Sequence, residues 1–296
     1  MLKKIIHIIA VFFFFAANTF AQSITDEQMQ LLKHTEDSLV LMSDSMMNAM
    51  IPDTREGYCE KFVRQLVRTL KIPNSYSFPF EKLKSKINII ISGDNHFRIF
   101  NWYILHDDIR PRYYGAIQVN TPKLKLIPLF DRTADLGKTF ADSILTNERW
   151  FGALYYRILE NEVDGEKVYM LFGLNTTNIA SNRKVLEPMK FTDKGVDFGA
   201  PIFYLKGKTA LKRFVLEYKK DVQVSLNWDG DLKTIFFDRL VSSVNDTNRK
   251  YTFVPSSQYD GFRWENNQWS LVQDLIPAQN LKDGQAPTPK PMKKGE

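Results

Sequence analysis

The densest group of chemically capable side chains lies in the segment SGDNHFRIFNW, at residues 92–102. Asp94, His96 and Arg98 are of the types that transfer protons or hold anions in active sites. The tripeptide Gly-Asp-Asn at 93–95 has high turn propensity, however, and the residues after it are typical of a strand. We therefore interpret the segment as a turn followed by a strand, with the Asp94 carboxylate bonded to its own turn backbone.

Histidines offer a second candidate chemistry, because imidazole is a common metal ligand. Beyond residue 21 the sequence has His34, His96 and His106, and the best local cluster is His106-Asp107-Asp108. Adjacent residues of a strand point to opposite faces, so these three side chains converge only in a loop. The HExxH and paired-cysteine ligand spacings are absent from the sequence. We therefore predict solvated loop charges, no metal site and no cofactor.

The signatures of common catalytic classes are also missing from the sequence. It has no GxSxG elbow, and the kinase-like tripeptide Asp-Phe-Gly at 197–199 stands without a Gly-rich loop or an HRD segment. Cys59 shares helical spacing with Phe62 and Leu66, which predicts a buried position rather than a nucleophile. A glycosidase needs two facing carboxylates, and 34 acidic residues do not reveal which ones face each other. We name no catalytic residue and lean against an enzyme.

Tryptophans are the remaining candidates for binding, because aromatic faces suit the apolar side of a sugar ring. The sequence has five tryptophans, and we take Trp102, Trp264 and Trp269 as candidate sugar-contacting residues. Core packing is the favoured interpretation of the same residues, since β-rich proteins bury aromatic side chains at alternating positions.

The first 21 residues have the pattern of a secretory signal peptide. Two lysines precede an apolar run from Ile5 to Ala17, and Thr19 and Ala21 are small residues at the −3 and −1 positions of a cleavage site before Gln22. The run is shorter than the roughly 20 residues that a membrane-spanning helix needs. We expect a soluble exported protein, periplasmic or secreted, without a membrane span in the mature chain.

The positive charge is concentrated near the two ends of the chain. The formal net charge is +6, but Lys3 and Lys4 belong to the predicted signal peptide, and residues 277–296 hold four lysines against two acids. The body between them carries too little charge for a nucleic-acid-binding protein. The segment 277–296 is rich in proline and lysine, which predicts a disordered tail.

Helical spacing dominates residues 22–86. Residues 25–28, Thr-Asp-Glu-Gln, form a capping-box pattern ahead of leucines and methionines at helical spacing, and Pro52 is predicted to end that helix. Asp53 and Glu56 have the spacing of an N-cap and its N3 partner for a second helix that ends near Lys71. A third short helix is predicted around residues 80–86.

From residue 87 the apolar spacing changes to a period of two, as in VQVSLNW at 222–228. Three dipeptides with turn propensity separate such segments, and each two-residue loop predicts a register. The predicted loops and opposite pairs are Asp229-Gly230 with Val224 and Ile235, Asp164-Gly165 with Glu162 and Lys167 and with Leu159 and Met170, and Asn266-Asn267 with Trp264 and Trp269.

Together these patterns predict an α+β protein, in which N-terminal helices lead into a large antiparallel β domain at 87–276. The number of strands suits a sandwich, a barrel or a curled sheet. Further strands are predicted near 96–104, 112–120, 123–129, 200–205, 211–219 and 251–255, whereas 131–147 and 178–188 are expected to be helical or irregular.

The central segments WFGALYYRI, YMLFGLN, NRKVLEPMKF and FGAPIF resemble a group of uncharacterised exported proteins of Bacteroidota-type bacteria. FRIFNW and YDGFRW extend this resemblance over residues 87–275. It implies export and a β-rich fold, and it brings no known activity or catalytic residue. The similar proteins have Gly-Trp followed by Asp or Asn where this chain has Gly173-Leu174-Asn175.

The expected function is that of a non-catalytic binding or envelope-associated factor, with an envelope protein or a glycan as partner. The alternative is a carbohydrate-active enzyme or a glycan-binding module. A cleft with two carboxylates about 5 to 10 Å apart beside an exposed tryptophan favours the alternative, and five buried tryptophans reject it.

Overall fold

The computed structural model describes residues 24–107, 109–176, 178–205 and 209–275, without the side chains of Lys138 and Thr139. The signal peptide predicted at 1–21, Asp108 and the tail predicted at 277–296 lie outside the described residues.

Two helices open the described chain, α1 at Asp26–Asn48 and α2 at Pro52–Leu70. The predicted capping box is confirmed, because the Thr25 hydroxyl accepts from the Gln28 backbone N–H and the Gln28 side chain accepts from the Thr25 N–H, both at 3.2 Å. The predicted start of α2 is wrong: Pro52 begins the helix, as suits a residue whose missing N–H has no helical acceptor at that position. A 3₁₀ turn at Leu83–Ser85 stands in place of the third helix predicted around residues 80–86, and another 3₁₀ turn lies at Ser75–Ser77.

Three sheets follow the helices in the described residues. Their strands are β1 Asn88–Ile91, β2 Phe97–Leu105, β3 Pro111–Val119, β4 Lys125–Phe130, β5 Leu145–Thr146, β6 Leu154–Val163, β7 Glu166–Asn175, β8 Ser181–Thr192, β9 Gly195–Phe198, β10 Phe203–Tyr204, β11 Phe214–Lys219, β12 Leu226–Asp229, β13 Thr234–Ser242, β14 Phe253–Glu265 and β15 Gln268–Val272.

Sheet 1 has the order β1-β2-β3-β4, sheet 2 has the order β5-β9-β8-β7-β6 with β11 also on β8, and sheet 3 has the order β10-β15-β14-β13-β12. Every strand pair is antiparallel except β10 with β15, and none of these sheets closes on itself. The predicted α+β class is therefore confirmed.

The helices and sheets are stacked in the order helices, sheet 1, sheet 2, sheet 3. Sheet 1 contacts the helices on one face and sheet 2 on the other because side chains alternate along β2. Phe100 and Trp102 pack with helix residues, whereas Phe97 and Ile99 pack with sheet 2. Along β7 the residues of one face join the sheet 1 core and those of the other face join a core with sheet 3. Sheet 2 is consequently covered on both faces.

Two of the three predicted hairpin registers are confirmed. Glu162 lies opposite Lys167 and Leu159 opposite Met170 across the Asp164-Gly165 loop, and Trp264 lies opposite Trp269. Both loop residues have positive φ in each hairpin, 51° and 83° in the first and 51° and 60° in the second. That conformation matches the twist of antiparallel strands, and Asn, Asp and Gly adopt it readily.

The third register is wrong by four residues. Trp228 lies opposite Ile235, because the loop contains the four residues 230–233 rather than two. The Asp229 carboxylate accepts the backbone N–H groups of Asp231 and Leu232, both at 2.9 Å, and this side-chain turn lengthens the loop. The shift is even, so the apolar residues stay on one face, but residues 222–225 no longer pair with β13 as strand.

The expectation of a helical or irregular segment at 178–188 is also wrong, because β8 begins at Ser181 and runs for 12 residues. One edge of β8 pairs with β7 and the other with β11 and then β9. Both of its faces are covered over much of its length, so its sequence lacks the alternation that identifies a half-buried strand. A charged residue, Glu187, is fully buried in it.

Glu187 is buried together with Arg213, and both side chains have 0% exposure. Arg213 Nε donates to Glu187 Oε1 at 2.7 Å, and the Tyr155 hydroxyl donates to Glu187 Oε2 at 2.5 Å. The remaining guanidinium nitrogens bond to backbone carbonyls of Phe140, Ser143 and Phe198. This network joins β8, β6 and the segment before β5, and it satisfies two charges that water does not reach.

Asp94 forms a second polar connection, between sheets 1 and 2. As predicted, its carboxylate bonds to its own turn, accepting from the His96 N–H at 3.1 Å. The sequence did not predict that Lys167 Nζ and the Tyr169 hydroxyl of β7 also donate to it, at 2.7 and 2.9 Å. Burial opposes ionisation, but the hydrogen bonds from Lys167, Ser92, His96 and Tyr169 outweigh it and hold the pKa of Asp94 below its usual range.

Removing one partner of the buried pair is predicted to destabilise the protein. Arg213→Met leaves the Glu187 carboxylate buried without its cation, and we expect the free energy of unfolding in urea to fall by about 3 to 5 kcal/mol. The double variant Glu187→Gln/Arg213→Met retains an acceptor for Tyr155 and should recover much of this loss. Arg149→Met, at an exposed arginine, is the control. Equal effects of Arg213→Met and Arg149→Met would contradict the assignment.

Asp94→Asn is predicted to change the acid dependence of stability. Because the folded-state pKa is depressed, the contribution of Asp94 is present above the unfolded pKa of about 3.9 and is lost as the pH falls through the folded value. We expect Asp94→Asn to be less stable than the wild type at neutral pH, with the difference shrinking below about pH 4. Unfolding curves recorded over a pH series measure this. The exposed Asp193→Asn should follow the wild type, and a wild-type-like profile for Asp94→Asn would refute the prediction.

Candidate functional site

The structure places the three candidate tryptophans in two different cores. Trp102 is 3% exposed and packs against Phe62 of α2, with ring centroids 5.0 Å apart. Trp269 is 1% exposed in the core between sheets 2 and 3, and the half-buried Trp264 packs on it at 5.1 Å. The three rings therefore do not form one sugar-stacking surface. Trp150 is also buried, whereas Trp228 is half-buried like Trp264. The five tryptophans are therefore not all buried, and the observation that would reject the glycan alternative is not made in full.

The two described members of the histidine cluster, His106 and Asp107, have separate partners. His106 Nδ1 contacts the Glu56 carboxylate of α2, and Asp107 accepts from the backbone and side chain of Arg110. These bonds from Arg110 lower the pKa of Asp107 to about 2. In the part of the chain that the structure describes, no three His, Cys, Asp or Glu residues are grouped to hold a metal ion.

Cys59 is confirmed on the buried face of α2, with 1% exposure. Burial raises the pKa of its thiol to about 11, although the side chains of Trp102 and Tyr114 oppose the shift. A thiol with this pKa stays protonated at neutral pH, and the thiolate is the nucleophilic form. Cys59 therefore acts as a small core residue.

A cleft of about 710 Å³ opens between sheets 2 and 3, larger than two others of about 400 and 420 Å³. Its sheet 2 wall combines side chains from four neighbouring strands. Its other wall is the segment 221–227 together with Phe236 of β13. The sheet 2 residues are Tyr156 of β6, Leu174 of β7, Asn182 and Lys184 of β8, and Tyr218 of β11.

The cleft exists because sheet 3 covers only part of the underlying face of sheet 2. Its edge strand β12 has four residues, whereas β8 has 12. Before β12 the chain leaves the strand conformation, and the Asp238 carboxylate holds the Ser225 N–H at 2.6 Å. Val224 is buried in the core between the two sheets, so the segment is anchored to the core while its other residues form the wall.

Lys184 is the most unusual group in the cleft. Its backbone lies in mid-sheet, opposite Leu174 of β7 and Leu216 of β11, and its half-buried side chain places Nζ 5.3 Å from the ring centroid of Tyr156. Burial lowers the pKa of Lys184, and the charge of Asp238 opposes the shift. Among the described residues, none accepts a hydrogen bond from this ammonium and none forms an ion pair with it. Its three donors remain open to the cleft.

The other polar groups of the lining are held in place by the protein. Lys220 Nζ donates to the carbonyls of Thr176 and Asn178, at 2.9 and 3.1 Å, and burial lowers its pKa. The Tyr156 hydroxyl donates to the Leu226 carbonyl at 2.8 Å, and burial raises its pKa, so it stays neutral. Asn182 Nδ2 donates to the Lys220 carbonyl at 3.1 Å.

Asn182 Oδ1 is buried and has no hydrogen-bond partner among the described residues. The orientation of the amide is fixed by its other end, because the Lys220 carbonyl only accepts and must face the NH₂ group. Because solvent does not reach this oxygen, a ligand in the cleft does not reach it either. The cleft therefore offers a positively charged donor at Lys184.

Carboxylates near the two smaller clefts have structural partners or lack an aromatic neighbour. In the third cleft Glu217 binds Arg183, and Asp260 binds Arg239. The second cleft is lined by Glu148, Asp193 and Asp197 without a tryptophan. Neither arrangement presents two carboxylates beside an exposed tryptophan ring.

The sequence missed the cleft because its key residue lies in a misassigned segment. Residues 178–188 were expected to be helical or irregular, and this hid Lys184. Once β8 is known to be a strand, the two-residue period of strand geometry places Asn182, Lys184 and Leu186 on one face. Only the pairing with β11 and the shortness of β12 show that this face is left open, and neither is a local property of the sequence.

Comparisons with protein-family models, with curated proteins and with solved structures found no match to this chain. None of the helices in the described ranges is long and apolar enough to cross a membrane.

Lys184→Met is predicted to stabilise the protein. The substitution keeps the length and apolar contacts of the side chain and removes a partly desolvated charge without a partner. We expect the free energy of unfolding to rise by about 1 kcal/mol, as for other stabilising changes at sites kept for binding. Lys219→Met, on the exposed side of β11, should change it by less. A clear loss of stability in Lys184→Met would show that the ammonium has a structural role.

Proposed function

We propose that the protein is an exported, non-catalytic binding factor of the cell envelope, and that the cleft between sheets 2 and 3 holds its ligand. The observation that carries the proposal is the partly buried Lys184 ammonium without a protein partner. A folded protein normally satisfies a buried polar group, since leaving it open costs free energy. Such a group in a concave site is accounted for by a ligand that completes it.

The chemistry of the lining supports binding rather than turnover. The lining groups are mostly donors, amides and tyrosines whose hydroxyls burial keeps neutral. General acid–base or nucleophilic catalysis requires a base near a reacting group. Lys184 is the lining group whose lowered pKa suits a base. The described lining residues give it no histidine or cysteine as a partner, and their carboxylate, Asp221, is exposed.

Export is supported by the signal-peptide pattern of residues 1–21 and by the resemblance to exported proteins over residues 87–275. The partner is then a component of the envelope, either a protein or a glycan. A glycan-binding module is the second candidate, and Tyr156 favours it. Its partly exposed ring lies in a cleft that also presents amide groups, a combination that suits sugar rings.

The proposal is tested with the protein purified from fractionated cells in which the tagged chain is expressed. We expect the tagged protein in the envelope or external fraction, with Gln22 as the N-terminus of the mature chain.

We also expect soluble envelope glycans or peptides to raise the unfolding temperature of the protein, because a ligand that binds only the folded state stabilises it. Ser225→Phe fills the cleft and should abolish that rise, whereas Ser243→Phe, at an exposed serine of the β13–β14 connection, should retain it.

Two results would contradict the proposal. One is hydrolysis of a glycan, peptide or ester that a single carboxylate or serine substitution abolishes. The other is ligand binding that Ser225→Phe leaves unchanged, since the cleft would then not be the binding site.

A further inference from the structure

The open ammonium of Lys184 sets the first requirement for a ligand. Its Nζ has no hydrogen-bond acceptor among the described residues and lies 5.3 Å from the ring centroid of Tyr156. A ligand that binds here therefore places an anionic oxygen on Lys184 and another part of the same molecule beside the Tyr156 ring.

The volume and the lining residues of the cleft restrict the size and shape of the ligand further. Its volume of about 710 Å³ lies within the range of small-molecule sites. Apolar surface from Leu174, Phe236 and the ring of Tyr156 lines it beside the polar groups. A molecule with a compact ring that has an apolar face and polar edges suits these walls.

The charge of the lining favours a monoanion. Lys220 already directs its ammonium at two backbone carbonyls, which leaves Lys184 as the cation without hydrogen bonds among the described lining residues. Asp221, at the exposed side of the cleft, and Asp238, whose charge acts on Lys184, set two negative charges against the two lysines. A carboxylate monoanion therefore meets less repulsion here than a phosphate dianion.

We infer that the cleft binds an acidic sugar, with the sugar carboxylate on Lys184 and the apolar face of the sugar ring against Tyr156. This inference rests on the proposed function and names the ligand class of the same site. It also explains why a lysine is kept in the middle of β8, where an apolar residue of the same length fits the sheet with less cost.

The test uses pairs of sugars that differ in one group. Binding of glucuronate, glucose and glucose 6-phosphate is measured by calorimetry, and glucuronate differs from glucose only by a carboxylate in place of CH₂OH. We expect glucuronate to bind at least about tenfold more tightly than glucose, the usual effect of a hydrogen bond to a charged group. Lys184→Gln should remove this preference, and Lys219→Gln, which removes an exposed charge of β11, should keep it.

Tyr156 is tested separately, because the role of its ring does not depend on the sugar's charge. Tyr156→Leu should weaken the binding of glucuronate and of glucose by similar factors, since both lose contact with the aromatic ring. Equal binding of glucose and glucuronate by the wild type, undetectable glucuronate binding, or a glucuronate preference that survives Lys184→Gln would overturn the inference. Tighter binding of glucose 6-phosphate than of glucuronate would overturn the assignment of the anion as a carboxylate.

Failure of this inference is distinguishable from failure of the proposed function. If envelope ligands bind and Ser225→Phe abolishes their binding while Lys184→Gln does not, the cleft is a binding site for neutral ligands and the acidic-sugar inference is wrong. If Ser225→Phe abolishes no binding at all, both are wrong. Unchanged circular dichroism and unfolding temperature in Ser225→Phe confirm that the variant is folded.

Discussion

The structure depends on how the long strand β8 is covered. Both of its edges are paired, and one face packs against the core shared with sheet 1. Glu187 on that face is tolerated only because Arg213 and Tyr155 supply donors to both of its oxygens. The opposite face is covered by sheet 3 near Leu186 and is open near Asn182 and Lys184. One strand thus contributes both to a fully buried and satisfied ion pair and to the cleft of about 710 Å³.

Three cations, Arg213, Arg98 and Lys184, differ in how many hydrogen-bond acceptors the protein supplies to them. Arg213 is fully buried with a carboxylate and several carbonyls. Arg98 is 1% exposed, donates to Gln118 and to two backbone carbonyls, and lies over the rings of Tyr76, Phe80 and Phe100, although burial lowers its pKa to about 9. Lys184, which is only half-buried, has the ring of Tyr156 and the charge of Asp238 beside it. The protein therefore supplies acceptors to its two fully buried arginines and none to this lysine, and this contrast supports the proposal that a ligand binds Lys184.

Local patterns in the sequence predicted what local interactions decide. The capping box of Thr25 and the Asp164-Gly165 and Asn266-Asn267 loops depend on neighbouring residues, and the structure confirms them. The register predicted from Asp229-Gly230 is wrong because the Asp229 carboxylate accepts the backbone N–H groups of Asp231 and Leu232. The turn propensity of a dipeptide does not reveal such a competing local bond. The segment 178–188 failed for a non-local reason. Its burial on both faces comes from other sheets, so its own spacing carries no strand signal.

The candidate residues show the same difference between local interactions, which the sequence predicts, and non-local ones, which it does not. Alternation correctly favoured core positions for the tryptophans, since Trp102 and Trp269 are buried and Trp264 packs on Trp269. Asp94 was recognised as a turn residue, but its bonds to Lys167 and Tyr169 join residues more than 70 positions apart in the chain. Lys184 becomes part of a site only when β8, β11 and the segment 221–227 come together. No spacing within the sequence contains that information.

A crystal structure of the protein purified directly from cells is the most direct measurement of the central claim, which is that Lys184 is kept open for a ligand. The account predicts a bound molecule in the cleft, with an anionic oxygen about 2.7 to 2.9 Å from Lys184 Nζ. A structure in which Lys184 forms an ion pair with a protein carboxylate such as Asp238, with sheet 3 closed over this face of β8, would contradict it.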